Sequence, residues 1–254
     1  MKLPVHRIIP FSNVEGYGNR TSIFVQGCNA NCLYCHNSET IPMKSKDATQ
    51  YTVEELVEII KNQIPFIRGI TVSGGEATLY HQFLKELFIE VHKLGLTCYI
   101  DTNGFFDYDT LRPLIFETDK FLYDIKGIGS SLDKLCFSEN LLEIKHLAKN
   151  AKNRFSKNSE HLESLDLLLK QDKVEEVRLV YVKGQYNNEE AVDIIYDHLK
   201  DYPNVIFKLI RMHSRGLPKA RLMLLKGSMP AMRDYEIVKE MVRSKGFNKL
   251  VLID

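Results

Sequence analysis

The hydrophobic pattern of the chain consists of short runs rich in β-branched and aromatic residues, separated by longer amphipathic segments. The predicted strands are Ser22–Val25, Ile70–Val72, Thr97–Ile100, Phe121–Ile125, Val177–Val182, Val205–Ile210 and Leu250–Ile253. Regular alternation of strands and helices favours an α/β protein with a parallel sheet whose crossovers are the helices. A rolled barrel and an open, doubly wound sheet both fit this pattern.

The amphipathic segments carry helix start and stop signals. Thr52 and Glu55 form a capping box, in which a hydroxyl and a carboxylate each accept from a free backbone N–H group. The apolar stripe behind them is predicted to end at Pro65. The other predicted helices are Phe83–Val91 before Gly95, a last helix over about Pro230–Ser244, and two helices between Gly127 and Lys173 around the polar stretch Lys149–Ser159.

Polar clusters follow several of the predicted strands. They are Ser73-Gly74-Gly75-Glu76, Asp101-Thr102-Asn103-Gly104 and Asp124-x-Lys126, and Cys28 follows the first strand in the same way. In parallel α/β architectures the reactive groups gather at the carboxyl ends of the strands. We therefore expect these clusters to meet at one rim.

Composition narrows the class of partner. The chain has 254 residues, 44% hydrophobic and 26% charged, with a net charge of +1, which gives no reason to expect nucleic acid or an anionic membrane as a partner. We find neither a signal peptide nor an apolar run long enough to span a bilayer, so we expect a cytoplasmic protein. Residues 1–254 are expected to form a single domain.

The cysteine spacing points to a metal centre. In a reducing compartment five cysteines are not expected to form disulfides, and Cys28, Cys32 and Cys35 are spaced closely enough to bend around one centre. Sulfur ligands select zinc or an iron–sulfur cluster. Zinc completed by His36 would be a tetrahedral structural site.

The motif provides three cysteines and no fourth, which favours an iron–sulfur cluster over a zinc site. Cys98 lies within a predicted strand and Cys136 in an ambiguous region, and we expect both to be small buried apolar residues. A cubane held by three cysteines leaves one iron with an open coordination position. A catalytic centre needs such a position, whereas a structural centre does not.

These residues carry a family resemblance. The Cys-x3-Cys-x2-Cys spacing, with Tyr34 just before the last cysteine, resembles the signature of the radical S-adenosylmethionine superfamily. The motifs that narrow the match are Cys-His-Asn at 35–37, Ser-Gly-Gly-Glu-Ala at 73–77, Asp-Thr-Asn-Gly at 101–104 and Asp-x-Lys at 124–126. Together they resemble the activating enzymes of glycyl radical enzymes, of which the pyruvate formate-lyase activase is the type. The resemblance extends from Phe11 to the last strand.

The resemblance implies a partial (β/α)6 barrel of the TIM type holding one 4Fe–4S cluster. S-Adenosyl-L-methionine would bind the open iron and be cleaved reductively to a 5′-deoxyadenosyl radical, which would abstract a hydrogen from a glycine of a partner glycyl radical enzyme. Flavodoxin or ferredoxin would supply the electron.

The resemblance also assigns expected roles to matched residues, most of them around the methionine end of the ligand. Gly74 and Gly75 would allow close approach of the backbone to the ligand, and Glu76 would accept a hydrogen bond from its ammonium group. Asp101 and Lys126 would hold the polar methionine end, and Arg178 would pair with the carboxylate. His213 would lie at the ligand's edge, and Tyr34 and His36 would border the adenine. Asp101, Thr102 and Asp124, with a backbone carbonyl near Leu122, match a monovalent-cation site for Na⁺ or K⁺.

The match departs from the family pattern in three places. Tyr17 stands between Gly16 and Gly18 where the family usually has proline. The linker from His36 to Gln50 contains no cysteine, so a single cluster is expected. Gly127–Arg154 looks longer than in the pyruvate formate-lyase type, and would either contact the partner or be a neutral insertion.

Two other functions compete with this interpretation. A small-molecule radical enzyme, resembling the 7-carboxy-7-deazaguanine synthases, would share the cluster and a short barrel, although the Asp-Thr-Asn-Gly and Asp-x-Lys motifs argue against it. A non-catalytic zinc-binding module would use the three cysteines and His36. The sequence does not identify which glycyl radical enzyme is the partner, the physiological reductant or the oligomeric state.

Overall fold

A computed structural model describes residues 1–137 and 160–254. Within these ranges one sheet contains every strand, in the order β3-β1-β2-β4-β5-β6-β7-β8-β9. The strands are β1 (Leu3–Ser12), β2 (Arg20–Val25), β3 (Thr49–Tyr51), β4 (Gly69–Gly74), β5 (Thr97–Thr102), β6 (Lys120–Ile125), β7 (Val174–Tyr181), β8 (Ile206–Arg211) and β9 (Leu250–Ile253). The β1 strand is antiparallel to both β2 and β3, and every other neighbouring pair is parallel.

Helices connect the parallel strands. The helices of the described ranges are α1 (Val53–Lys61), α2 (His81–His92), α3 (Tyr108–Glu117), α4 (Ser131–Cys136), α5 (Glu160–Leu169), α6 (Asn188–Leu199), α7 (Lys219–Leu224) and α8 (Met232–Lys245). Starting at β2, they give six strand-then-helix units followed by a last parallel strand, which confirms the predicted α/β class and agrees with a partial (β/α)6 barrel. No helix of the described residues has the length and apolar character needed to cross a membrane.

Local sequence signals explain where the helices lie. The capping box is present, because the Thr52 hydroxyl accepts from Glu55 N at 3.3 Å and the Glu55 carboxylate accepts from Thr52 N at 2.7 Å. The α1 helix ends at Lys61, one turn before Pro65. The α2 helix buries its apolar stripe against the sheet.

Two strands were not predicted. In β1 the run is interrupted by Pro4 and Pro10, which hide the strand pattern, and β3 is only three residues long. Of the helices predicted between Gly127 and Lys173, α4 and α5 are present, whereas the polar stretch Lys149–Ser159 lies outside the described residues.

The parallel strands bring the polar clusters together at their carboxyl ends, and a loop covers their amino ends. Gly74 pairs with Val25, and Asp124 pairs with Arg178, so the loops that follow these strands meet. At the opposite edge, residues 13–18 fold inward, and the Thr71 hydroxyl donates to the Glu15 carbonyl at 2.6 Å. We call residues 13–18 the floor loop.

Candidate functional site

A cavity of about 220 Å³ lies at the carboxyl ends of the strands. The predicted site residues that line it are Cys28, Cys32, Tyr34, Cys35, His36, Gly74, Gly75, Asp101, Thr102, Asp124, Lys126 and Arg178. Glu76 and His213 are not among the residues that line this cavity. The predicted convergence of strand-end clusters on one rim is therefore observed.

The cysteine loop is supported from one side by α4. Asn31 N donates to Cys136 O at 2.8 Å, and Leu33 N donates to Leu135 O at 2.7 Å. These bonds satisfy the backbone of a loop that lies outside the sheet, so its three cysteines are held without strand pairing.

Arg221 supports the same loop from the other side. This side chain is 7% exposed. It donates from Nη1 to Cys32 O, and from Nη2 to Asn31 Oδ1 at 2.8 Å. Sequence reasoning missed Arg221, because 189 residues separate it from Cys32 and no motif surrounds it.

The thiols are suited to a metal that displaces their protons. Burial, with a smaller contribution from Glu76, raises the pKa of the Cys28 thiol, and burial raises that of Cys35 to about 11. A hydrogen bond with the Cys136 thiol lowers the pKa of Cys32. Binding of a thiophilic metal to these buried thiols would release their protons.

The spacing of the ligand atoms argues against mononuclear zinc. Tetrahedral zinc with Zn–S bonds of about 2.3 Å requires sulfurs about 3.8 Å apart. Among the described residues, no three of Cys28, Cys32, Cys35 and His36 bring their ligand atoms within 4.8 Å of one another. A wider arrangement fits a cluster better than a single ion. Cys136 contacts Cys32 but does not line the cavity, and no fourth cysteine is among the lining residues.

A charged network lies opposite the cysteines. Arg178 donates from Nη1 to Asp101 Oδ2 at 3.0 Å and from Nε to Glu176, and its Nη2 is 3.7 Å from Glu15 Oε2. These carboxylates raise the pKa of Arg178 despite its burial. Asp101 also accepts from Ser73 Oγ at 2.9 Å. The carboxylates and the guanidinium complement the two charges of an amino acid moiety.

Glu15 is a lining residue that the sequence interpretation did not select. Burial, followed by the nearby Asp101 charge, raises its pKa to about 7. The floor loop carries it inward with Gly16 at φ +99°, where an added Cβ would lie 2.6 Å from the Tyr99 ring. The Gly16-Tyr17-Gly18 motif was the available signal, but it was interpreted only as a departure from the family pattern.

Lys126 and Asp124 form a partly buried ion pair at the rim. Their Nζ and Oδ2 atoms are 2.5 Å apart, and each side chain is 19% exposed. Burial opposes the charge on Lys126, but Asp124 and Cys32 raise its pKa overall. The Tyr34 hydroxyl donates to Lys126 O at 2.7 Å, which connects this pair to the cysteine loop.

The two glycines that follow β4 allow backbone segments to approach closely. A Cβ on Gly74, which has φ +107°, would lie 2.5 Å from Val25 N, and a Cβ on Gly75 would lie 2.0 Å from Gly27 O. Side chains at these positions would push the strand end away from the cysteine loop.

Glu76 lies behind the cavity wall and not in it. Its Oε1 accepts from Thr78 N, Thr78 Oγ1 and Thr102 Oγ1 at 3.1, 2.7 and 2.8 Å, and its Oε2 accepts from Asn103 N at 2.8 Å. Burial raises its pKa. These contacts support a positioning role that joins β4 to β5, and direct contact of Glu76 with a ligand ammonium stays a prediction.

His213 lies next to the cavity through His36. The two rings stack with centroids 4.2 Å apart, and His36 Nε2 is 3.0 Å from His213 O. Burial and the neighbouring His36 lower the pKa of His213, whose buried Nδ1 has no hydrogen-bond partner. The stacked pair of rings offers a flat face at the cavity edge.

The oxygens predicted to bind a monovalent cation lie together but have other partners. Asp101, Thr102 and Asp124 all line the cavity. The Thr102 hydroxyl donates to Glu76, Asp124 pairs with Lys126, and Asp101 pairs with Arg178. The cation site therefore stays a prediction.

Sequence comparisons relate the chain to one superfamily and to two groups of activating enzymes. The sequence profile of the Radical SAM superfamily matches residues 22–177. A Haemophilus influenzae protein, provisionally named as a glycyl-radical enzyme activating enzyme, is 43% identical over 255 residues, which cover 99% of this chain and 97% of that protein. The pyruvate formate-lyase-activating enzyme of Staphylococcus aureus is 36% identical over 140 residues, 51% of this chain and 55% of that enzyme.

Solved structures share the fold at low identity. Streptococcus suis SuiB bound to S-adenosylmethionine has a TM-score of 0.59 at 14% identity, covering 89% of this chain and 48% of SuiB. A domain of pyruvate-formate lyase-activating enzyme from Bacteroides vulgatus has a TM-score of 0.50 at 16% identity, covering 73% of this chain and 99% of that domain.

Proposed function

The chain belongs to the radical S-adenosylmethionine superfamily, and on that basis we propose that it generates the radical of a glycyl radical enzyme. The family implies a 4Fe–4S cluster and S-adenosylmethionine as cofactors. When bound and reduced by one electron, they supply homolytic cleavage of the sulfonium bond and a radical able to remove a hydrogen atom from a glycine α-carbon.

The observation that carries the proposal is the position of the three-cysteine loop beside charged groups that suit an amino acid. Cys28, Cys32 and Cys35 hold the cluster, and Asp101 and Arg178 face the ammonium and carboxylate of the methionine moiety from the same cavity. A rigid, pre-formed network of this kind orients a ligand with little reorganisation.

Other lining residues shape the rest of the ligand site. Gly74 and Gly75 let the methionine moiety approach the backbone, Lys126 completes the polar rim, and Tyr34 and His36 offer aromatic faces to the adenine. Asp101, Thr102 and Asp124 provide hard oxygen atoms for Na⁺ or K⁺ in the same cavity.

The partner's glycine enters from the open rim. The floor loop lies at the opposite edge of the sheet, so among the described residues the strands' carboxyl ends are the side on which we expect a protein loop to approach. Every strand of the described ranges belongs to one sheet, which supports the proposal that residues 1–254 form one domain.

The experiment is single-turnover activation of a candidate glycyl radical enzyme. Anaerobically reconstituted protein is reduced with dithionite, mixed with S-adenosylmethionine and the partner, and examined for 5′-deoxyadenosine and a glycine-centred EPR doublet. Both should appear with the wild type and neither with Cys32→Ala. Absence of deoxyadenosine would refute the proposal, and turnover of a free heterocycle without the doublet would replace activation by small-molecule chemistry.

A further inference from the structure

Positive charge is concentrated in one segment of a nearly neutral chain. The whole protein has a net charge of +1, yet the segment from Pro203 to Arg233 contains no aspartate or glutamate. Its lysine and arginine residues are Lys208, Arg211, Arg215, Lys219, Arg221, Lys226 and Arg233. This segment includes β8, α7 and the loops around them.

The α7 helix and its flanks have two distinct sides. Leu217, Arg221 and Leu225 are buried at a four-residue spacing. Lys219 and Met223, four residues apart on the outer side, are exposed, as is Lys226 one turn further on. The buried stripe fixes the segment, and the outer side faces solvent.

Three exposed cations of this segment have no acidic partner in the part of the chain that the structure describes. Within the described residues, no carboxylate lies within ion-pair distance of Arg215, Lys219 or Lys226. Met223 and Leu224 lie between them in sequence and are 78% and 44% exposed. We call Arg215, Lys219, Met223, Leu224 and Lys226 the α7 basic face.

The α7 basic face is connected to the cysteine loop through the side chain of Arg221. Arg221 belongs to the same six-residue helix, and its guanidinium bonds the carbonyl of Cys32. Cys28 and Cys32 are only 8% and 7% exposed and Cys35 is half-buried, so protein surrounds most of the centre that these three cysteines would hold. The α7 helix therefore offers a short hydrogen-bonded route from the surface to a predicted cluster ligand.

We propose that the α7 basic face is the docking site of a small acidic one-electron carrier protein; this inference rests on the proposed function. One electron leaves the reduced carrier and is accepted at the centre held by the three cysteines, with no bond made or broken between the proteins. Unpaired cations around exposed apolar side chains suit a transient complex that is steered by charge and released after transfer. The partner glycine, by contrast, must enter the cavity mouth.

Charge reversal on the α7 basic face tests this proposal. The variant is Lys219→Glu/Lys226→Glu, and the matched control is Lys170→Glu/Lys249→Glu, which makes the same charge change next to the amino ends of β7 and β9. The probe is an acidic flavodoxin. Its Kd for the reconstituted protein is measured at low and moderate salt, and its rate of cluster reduction is measured by stopped-flow absorbance.

We expect the α7 variant to raise the Kd by about tenfold or more at low salt and to weaken its salt dependence, while the control stays near wild type. Deoxyadenosine formation with dithionite should be unchanged, because neither lysine touches the cavity. Equal Kd values for variant and control would overturn the docking site, as would a defect confined to binding of the glycyl radical enzyme. Failure of the wild type to form deoxyadenosine with dithionite would instead refute the underlying function.

Discussion

Arg178 Nη1 donates to Asp101 Oδ2 at 3.0 Å, although 77 residues separate the two in the chain. This bond spans from β7 to β5, past β6, at the carboxyl edge of the sheet. The bond therefore places one carboxylate and one guanidinium side by side, where they can face the ammonium and the carboxylate of a zwitterionic ligand.

Asp101→Asn should weaken S-adenosylmethionine binding by about tenfold or more while iron content stays at the wild-type level. The change removes one charge from a partly buried hydrogen-bonded pair, and such pairs contribute about 1.5–3 kcal/mol. Equilibrium binding on reconstituted protein measures the effect. Asp109→Asn, at an exposed surface pair with Arg112, is the control. Unchanged affinity in Asp101→Asn would remove this residue from the site.

Replacing any one of Cys28, Cys32 or Cys35 with alanine should abolish cluster binding. Cys98→Ala is the matched control, since Cys98 is fully buried in β5 and absent from the cavity. Cys136→Ala should also retain iron, because its thiol contacts Cys32 from outside the cavity. Iron and sulfide analysis after anaerobic reconstitution gives the answer. Full iron content in any of the first three variants would contradict the ligand assignment.

Arg221→Ala should loosen the cysteine loop. It leaves the Cys32 carbonyl and the Asn31 amide oxygen without their charged donor, at a cost of about 1–3 kcal/mol. We expect a lower free energy of unfolding in urea and faster loss of iron to a chelator. Arg215→Ala, an exposed arginine six residues away, should change neither. Equal iron loss in the two variants would show that Arg221 does not position the loop.

The buried His161 should lower the free energy of unfolding as the solution becomes more acidic. Burial, with a smaller contribution from His198, lowers its pKa from 6.5 to about 4, so the folded state binds fewer protons than the unfolded state between these values. The free energy of unfolding should therefore fall as the pH drops from about 6.5 to about 4, by up to about 3 kcal/mol.

Urea unfolding of the metal-free protein across this pH range, followed by circular dichroism, tests the His161 prediction. His161→Leu should flatten the pH dependence, whereas His81→Leu on the half-buried start of α2 should keep it. The same slope in wild type and His161→Leu would show that other groups cause the acid sensitivity.

Much of the sheet was predictable because its parallel strands carry continuous apolar runs. The seven predicted strands all lie within or overlap β2 and β4–β9. The β1 strand was not predicted, because Pro4 and Pro10 interrupt its alternation of apolar and polar residues. Twelve of the fourteen predicted site residues line the cavity, since most of them lie at or directly after a strand's carboxyl end, whereas Arg178 lies further inside β7.

The remaining site features depend on contacts distant in sequence. Glu76 faces away from the cavity because Thr78, Thr102 and Asn103 provide its donors, which only the folded loop brings together. Glu15 and Arg221 enter the site from the floor loop and from α7, and neither follows a parallel strand directly. Strand-end reasoning could not find them.

The floor loop has a consequence for turnover. Gly16 packs on Tyr99 with fully buried Arg20 beneath, so in the proposed reaction we expect the described residues to leave spent nucleoside and methionine no exit on the floor-loop side. They must leave by the mouth through which the partner's loop came in. Each round of activation therefore requires the two proteins to separate before the catalyst can be reloaded.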